Sequence, residues 1–214
     1  MKRNPVNILF SALLLAVFAL SSVSVATAGK RLSDQELRAL PGYADFGDVW
    51  KYSDGDEVVE VELTQPLLGV VAPFLRGDDP DLADLILDLQ LVRVNAFGFD
   101  DDNYKSVLSL MRDSASDLRK GGWDNVVKVR GEDENVNVFV RIEGDGDEDE
   151  TFLSGLAVLY VGDDDEAAFV NVVGHFRMED IARLSEQFDL PHSEDWSNLK
   201  EEMHKHERRS KGNE

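Results

Sequence analysis

Two acidic runs, at residues 145–150 and 163–166, hold the side chains with the clearest capacity for chemistry. Clustered carboxylates bind Ca²⁺, and an EF-hand loop needs acids at positions 1, 3 and 5, glycine at 6 and glutamate at 12. A loop that starts at Asp145 has Glu150 at position 6 and Leu156 at position 12, and one that starts at Asp163 has Ala167 at position 5. Both runs fail the pattern, which leaves solvated turns or a loose cation site as the two interpretations.

Histidine and serine, the usual bases and nucleophiles of hydrolases, form no recognisable catalytic arrangement. His204 and His206 form a His-x-His pair in a charged tail, where the spacing indicates adventitious metal binding at most. His175 stands at a predicted strand end, and Ser154–Gly155 lacks the Gly-x-Ser-x-Gly pattern. Gly121–Gly122 ends a helix rather than opening one, so it is no phosphate-binding loop. The sequence predicts no catalytic residue, no metal site and no cofactor.

The spacing of the apolar residues predicts the elements that must position any site. A period of two predicts strands, and the longest such stretch, 135–176, divides into a three-strand antiparallel meander joined by the two acidic runs. Steps of three and four predict helices. The predicted elements are a strand at 59–63, helices at 66–75 and 80–89, a strand at 91–99, a helix at 104–118, strands at 123–130, 135–142, 152–161 and 167–176, and helices at 178–188 and 193–209.

Strands that follow one another after an initial alternation with helices are typical of the α+β class. We expect a mainly antiparallel sheet with helices packed on one face, which makes a two-layer sandwich. The predicted organisation is a signal peptide at 1–28, an N-terminal arm at 29–50, a single α+β domain at 51–190 and a charged C-terminal helix or tail at 191–214.

The first 28 residues have the composition of a secretory signal peptide. Lys2 and Arg3 precede an apolar run at 8–20, and the small residues Ala26–Thr27–Ala28 follow it. The run is shorter than the roughly 20 residues that span a bilayer, which argues against a membrane anchor. We expect cleavage between Ala28 and Gly29, export to the periplasm or beyond, and no transmembrane segment in the mature chain.

The charge of the chain excludes several classes of partner. Residues 29–214 retain 20 basic and all 43 acidic residues, a net charge of −23. Such a protein repels nucleic acid and anionic membranes, because both are polyanions.

There is no cysteine, so disulfides, thiol catalysis and cysteine-bound metals are excluded as well.

One face of the predicted sheet has the composition of a binding surface. With the valines of the meander directed inward, the opposite face carries arginines and aromatics in mid-strand, a combination enriched at binding hot spots. Alternatively, the arginines pair across strands with Glu60 and Glu62, and the aromatics pack under the N-terminal arm or a helix containing Trp196. The candidate binding residues are Arg93, Phe97, Asn137, Phe139, Arg141, Asn171 and His175, with Asn95 and Phe169 on the same face.

Several short motifs resemble those of the bacterial domain of unknown function 4252 family, over roughly residues 37–190. The resemblance implies an exported or lipid-anchored protein, although this chain lacks the lipid-bearing cysteine, and it implies no activity and no catalytic residue. The motifs are Pro41–Gly42–Tyr43, Asp45–Phe46, Gly122–Trp123, residues 133–138, Gly155–Leu156 and residues 169–174.

These observations favour a non-enzymatic envelope protein that binds an envelope partner or a small ligand. One alternative is a hydrolase of unfamiliar type that uses carboxylates together with His175. Another is an acidic surface protein that binds cations.

Overall fold

The computed structural model describes residues 32–54, 58–77, 79–131, 134–144, 152–162 and 165–177. The signal peptide, the acidic residues 145–150 and 163–164, the helices predicted at 178–188 and 193–209, and the His204–His206 pair lie outside the described residues. The helices are α1 (Asp34–Arg38), a 3-10 turn (Val49–Tyr52), α2 (Gln65–Leu75), α3 (Pro80–Asp88) and α4 (Tyr104–Lys120). The strands are β1 (Val58–Thr64), β2 (Leu89–Gly98), β3 (Asp124–Arg130), β4 (Glu134–Glu143), β5 (Phe152–Gly162) and β6 (Glu166–Phe176).

The six strands form one sheet in the order β1-β2-β6-β5-β4-β3, and every neighbouring pair is antiparallel. The predicted meander is confirmed, since β4, β5 and β6 are adjacent in the chain and in the sheet. β2 then pairs with β6, which leaves β1 and β3 as the two edges. The α+β class and the antiparallel sheet are therefore confirmed.

Local side-chain hydrogen bonds fix the starts of two helices. Ser33 and Glu36 form a capping box on α1, in which the Glu36 carboxylate accepts from the Ser33 amide at 2.8 Å. Asp79 caps α3 by accepting from the Leu82 amide at 2.9 Å, and Pro80 occupies the first helical position. Both devices satisfy amides that have no partner within the helix.

One side of the sheet, which we call the phenylalanine face, carries Phe97, Phe139 and Phe169. The face is buried by α4 through Val107 and Met111, and by the arm at residues 43–50, among other contacts. The three phenylalanines have almost no solvent exposure, so this face is the main core of the molecule.

The other side, the valine face, carries Val94, Val140 and Val170, among others. α2 and α3 form a hairpin on it, whose main contacts are with β1, β2 and β6, and Leu68 of α2 is buried there. Val138 and Val170, which the sequence places in the core, are only half-buried.

The structure thus corrects the expected layers, because helices lie on both faces and not on one. The α2–α3 hairpin connects β1 to β2 over the valine face, whereas α4 connects β2 to β3 over the phenylalanine face. A strand whose consecutive residues are both apolar needs cover on both sides, because successive side chains point to opposite faces.

Replacing Phe139 by Ala should destabilise the protein by about 3–5 kcal/mol, since the side chain is fully buried and its loss leaves a cavity. The matched control is Phe74→Ala on α2, where the phenylalanine is 52% exposed and the loss should stay below about 1 kcal/mol. Urea unfolding measures both changes. Equal losses would contradict the assignment of Phe139 to the core and of Phe74 to the surface.

Candidate functional site

The N-terminal arm crosses the phenylalanine face and is held there by the side-chain amide of Asn171. The Asn171 carbonyl accepts from the Ala44 amide at 3.0 Å, and its NH₂ group donates to the carbonyls of Gly42 at 3.0 Å and Leu156 at 3.2 Å. Asn171 has no solvent exposure. A buried amide is stabilising only when its donors and acceptors are paired, and here the arm supplies two of the three partners.

Arg93 of β2 binds the same arm from the neighbouring strand. Its guanidinium donates to the Tyr43 hydroxyl and to the Ala44 carbonyl, each at 2.6 Å, and lies 4.8 Å from the centre of the Tyr43 ring. Glu62 lies opposite Arg93 in the β1–β2 register, yet the ion pairs within the described ranges do not include these two residues. The predicted arginine–glutamate pairing is therefore replaced, at Arg93, by a contact with the arm.

Two glycines allow the backbone of the arm to touch the sheet. A side chain at Gly155 would place its first carbon 2.6 Å from the Gly42 Cα and 2.6 Å from the indole of Trp123. A side chain at Gly42 would meet the backbone of Ser154 in turn. Ser154 is the extra residue of a bulge in β5, where the register against β4 shifts.

Arg141 of β4 fastens the end of α4 to the sheet. Its guanidinium donates to the Gly121 carbonyl and to the Glu143 carboxylate, the latter at 3.0 Å. Gly122 adopts a positive φ of 81°, as is usual just after a helix C-terminus.

Nearby, the pKa of Lys120 is raised because Asp117 accepts a hydrogen bond from it and adds negative charge. That pair is exposed and marks no site.

The candidate binding residues therefore lie at several separate places on the sheet. Phe97 and Asn171 lie beneath the arm with Arg93, while Phe139 is buried under Arg119 of α4. Asn137 is also buried, and the carbonyl oxygen of its side-chain amide has no hydrogen-bond partner among the described residues. Arg141 lies at the end of α4 and His175 at the end of β6, where His175 is exposed and stacks on Phe152 with ring centres 3.9 Å apart.

This placement has a consequence for the predicted binding surface. Side chains that are buried under the arm and α4 cannot contact a partner while these elements stay in place. Phe97 and Phe169 pack against Trp50 and Phe46 of the arm, whereas Phe139 packs under α4. The hydrolase alternative gains no geometric support, because no described carboxylate is hydrogen-bonded to or ion-paired with His175.

The described part of the chain contains no cluster of side chains suited to binding a metal ion. No group of three or more histidine, aspartate or glutamate side chains there could hold an ion. The acidic residues 145–150 lie outside the described ranges, so the cation-binding interpretation of that run stays a prediction.

A different surface is apolar and partly exposed, with Val70 half-buried between two exposed residues, and it contains none of the candidate binding residues. Leu67, Val70 and Phe74 follow one another on α2 at steps of three and four, which places them along one side of the helix. Leu67 is 44% exposed and Phe74 52%, and a side chain built at Gly69 would meet no atom within 4 Å. The signal was present in the sequence, since no charged residue occurs between Gln65 and Leu75 and a helix apolar all round needs cover on every side. We call Leu67, Val70 and Phe74 the α2 stripe.

Removing the Asn171 amide should loosen the arm. In Asn171→Ala we expect the Ala44 amide to exchange its hydrogen roughly five- to tenfold faster, because its hydrogen bond contributes on the order of 1 kcal/mol. The matched control is Asn125→Ala, since the Asn125 amide donates only within the β3–β4 edge, to Val127 and Val138. Hydrogen exchange followed by NMR measures the Ala44 rate in both variants. An unchanged rate in Asn171→Ala would show that the arm is held by other contacts.

One comparison with known proteins identifies the family of this chain. Residues 52–184 match the family described as Domain of unknown function (DUF4252). No curated protein and no solved structure matches the chain. The matched span contains all six strands and α2 to α4, begins at the end of the arm and continues past Arg177. It covers more than half of the chain and confirms the resemblance, so the chain belongs to the DUF4252 family.

Proposed function

We propose that this chain is an exported, non-enzymatic interaction domain that docks a partner protein on the α2 stripe. The observation that carries the proposal is an uncharged eleven-residue helix with Leu67 and Phe74 exposed to solvent. Single exposed apolar residues are ordinary, but an apolar row on one helix face is typical of an interaction surface.

The spacing of the stripe fits one mode of recognition. Positions i, i+3 and i+7 are the anchors that a helix inserts into an apolar groove of another protein. The inner side of α2 is already occupied, because Leu68, Val71 and Ala72 are buried against the rest of the domain. The hairpin is thus fixed to the sheet on one side, while Leu67 and Phe74 remain exposed to solvent.

The charges around the stripe indicate the chemistry of that partner. The hairpin at 65–88 contains five aspartates and one basic residue, Arg76, which pairs with Asp84 at 2.7 Å. Asp81, Asp84 and Asp88 of α3 are exposed beside α2. We therefore expect a partner groove with basic residues at its rim, since opposite charges at the edge of an interface favour association.

A second copy of the chain and an anionic membrane fit this surface less well. Each copy would bring the same net charge of −23, and an anionic membrane would repel it. Within the described ranges, every helix falls short of the length and apolar composition that crossing a membrane requires.

Export is the part of the proposal that rests on the N-terminal sequence. The basic residues, apolar run and small residues of 1–28 support cleavage after Ala28. N-terminal sequencing of the protein recovered outside the cytoplasm should give a chain that starts at Gly29. Recovery in the membrane fraction with residues 1–28 retained would contradict this part.

Docking can be tested with a photo-crosslinking amino acid at position 74 in the cells that make the protein. We expect a discrete adduct with one protein, identified by mass spectrometry. The matched control is position 58, because Val58 is 50% exposed but starts β1, away from α2. With the identified partner purified, Phe74→Ser should weaken binding about thirtyfold, as expected for a hot spot, while Val58→Ser should leave it unchanged.

The results that would contradict docking are also defined. An adduct between two copies of the chain would mean that the stripe is a homodimer contact. Equal adducts from positions 74 and 58, or none from either, would remove the α2 stripe as the docking surface.

A further inference from the structure

Residues 104–130, which contain α4 and β3, are positively charged within a strongly acidic chain. They include six basic and three acidic residues, a net charge of +3, whereas residues 29–214 as a whole carry −23. Four of these basic side chains, those of Arg112, Arg119, Lys128 and Arg130, are exposed. Within the described ranges none of the four forms an ion pair, although the chain contains 43 acidic residues.

Lys128 and Arg130 of β3 project from the phenylalanine face. Lys128 is opposite Asn137 in the register, and Asn137 is opposite Leu159, which belongs to the main core. Residues that are opposite one another in a sheet point to the same side, so Lys128 shares the side of Leu159. Arg130 is two residues further along β3 and therefore points the same way.

The arginines of α4 lie on the flank of the helix that is directed toward β3. The Arg119 guanidinium is 5.6 Å from the centre of the Phe139 ring, which belongs to the neighbouring strand β4. Arg112 is about two helical turns earlier and so lies on the same flank. α4 also contacts β3 directly. We call Arg112, Arg119, Lys128 and Arg130 the cationic groove, since they line the space between α4 and β3 above β4.

The three acidic residues of the same segment are directed elsewhere. Asp124 is opposite Val140 in the register, so it lies on the valine face. Asp113 and Asp117 are about one turn apart on the other flank of α4, where Asp117 pairs with Lys120. The acids of this segment therefore leave the cationic groove unneutralised.

We propose that the cationic groove binds an acidic peptide segment of a partner protein. Arg119 is already positioned for this, because its guanidinium stacks on Phe139 and its N–H groups donate to no described residue. A guanidinium presents paired donors that match the two oxygens of a carboxylate. Carboxylates at alternate positions of an extended peptide recur about every 7 Å, which is also the spacing of Lys128 and Arg130 along β3.

The floor of the groove favours a peptide over a simple anion. Asn137 is 9% exposed and lies beside Lys128, and the oxygen of its side-chain amide has no hydrogen-bond partner among the described residues. Such an acceptor repels an anion and requires a donor, which the N–H groups of a peptide backbone supply. The net charge of the chain opposes a long polyanion, but its effect on a short segment is screened beyond about 8 Å at physiological ionic strength.

This inference does not depend on the proposed function. The cationic groove lies on the phenylalanine face, whereas the α2 stripe belongs to the hairpin on the valine face. The peptide lies on the face of the sheet above β4 and does not extend the sheet along the edge of β3.

Fluorescence anisotropy can measure the binding of the purified chain to a labelled peptide of alternating glutamate and serine, blocked at both termini. We expect saturable binding that weakens as the salt concentration rises, because the interaction is between charges. The matched probe replaces every glutamate by glutamine and should not bind measurably. In NMR spectra the acidic peptide should shift the backbone amide signals of Arg119 and Lys128, but not that of Arg93, which binds the arm.

Substitutions locate the site. Arg119→Gln and Lys128→Gln should each weaken binding about tenfold, the effect of losing one hydrogen bond to a charged group. The matched control is Arg38→Gln, which removes the same charge from an exposed guanidinium that is already paired with Asp45, and it should leave binding unchanged. If Arg119→Gln alters the fold, because Arg119 packs on Phe139, Lys128→Gln still decides.

The results that would contradict peptide binding are defined. Equal binding of the glutamate and glutamine peptides, or equal weakening in Arg38→Gln, would remove the groove as a carboxylate site. If inorganic phosphate displaced the peptide at an equal concentration, the groove would be a general anion site and not a peptide site. The absence of saturable binding to the glutamate peptide would overturn the proposal outright.

Discussion

Phe139 and Val140 are consecutive residues of β4, they point to opposite faces of the sheet, and neither has any solvent exposure. Burial of both requires cover on both sides of the same strand. Elements lie on both faces of the sheet: α4 and the arm lie over the phenylalanine face, and the α2–α3 hairpin lies over β1, β2 and β6 on the valine face. An antiparallel sheet with one solvent-exposed face needs only one layer of helices, whereas this sheet carries helices on both faces.

The arm differs from α4 in how it is held. α4 covers the sheet with an apolar stripe, whereas the backbone of the arm reaches the sheet through polar groups, above all Asn171 and Arg93. These contacts add specificity as well as energy, because a buried amide is satisfied only when the arm lies in one register. A slip by one residue would leave the amide of Asn171 unpaired in a low-dielectric interior, at a cost of about 1–3 kcal/mol.

Periodicity was sufficient to predict the strands, the central meander and α2 to α4, because these signals depend on residues close together in the chain. The assignment of the faces was not predictable in the same way. Arg93 and Asn171 made the phenylalanine face look polar, yet their partners Tyr43 and Gly42 are 50 and 129 residues distant in the sequence. The local sequence pattern does not distinguish a buried polar residue, whose hydrogen-bond partners lie far away in the sequence, from a polar residue that is exposed to solvent. The α2 stripe was missed for a related reason: an apolar helix predicts burial, and only the fold shows that Leu67 and Phe74 are exposed.

The edges of the sheet explain why association through a helix fits this molecule better than association through a strand. β1 presents exposed Glu60 and Glu62, and β3 presents exposed Lys128 and Arg130. Charged side chains on edge strands oppose the addition of a further strand from another chain. The outer side of α2 carries no charge at all and sits on a hairpin whose inner side is already fixed by Leu68. A partner that docks there need not disturb the sheet, the arm or α4. The proposed interaction surface and the contacts that stabilise the fold are therefore separable, and substitutions on one need not affect the other.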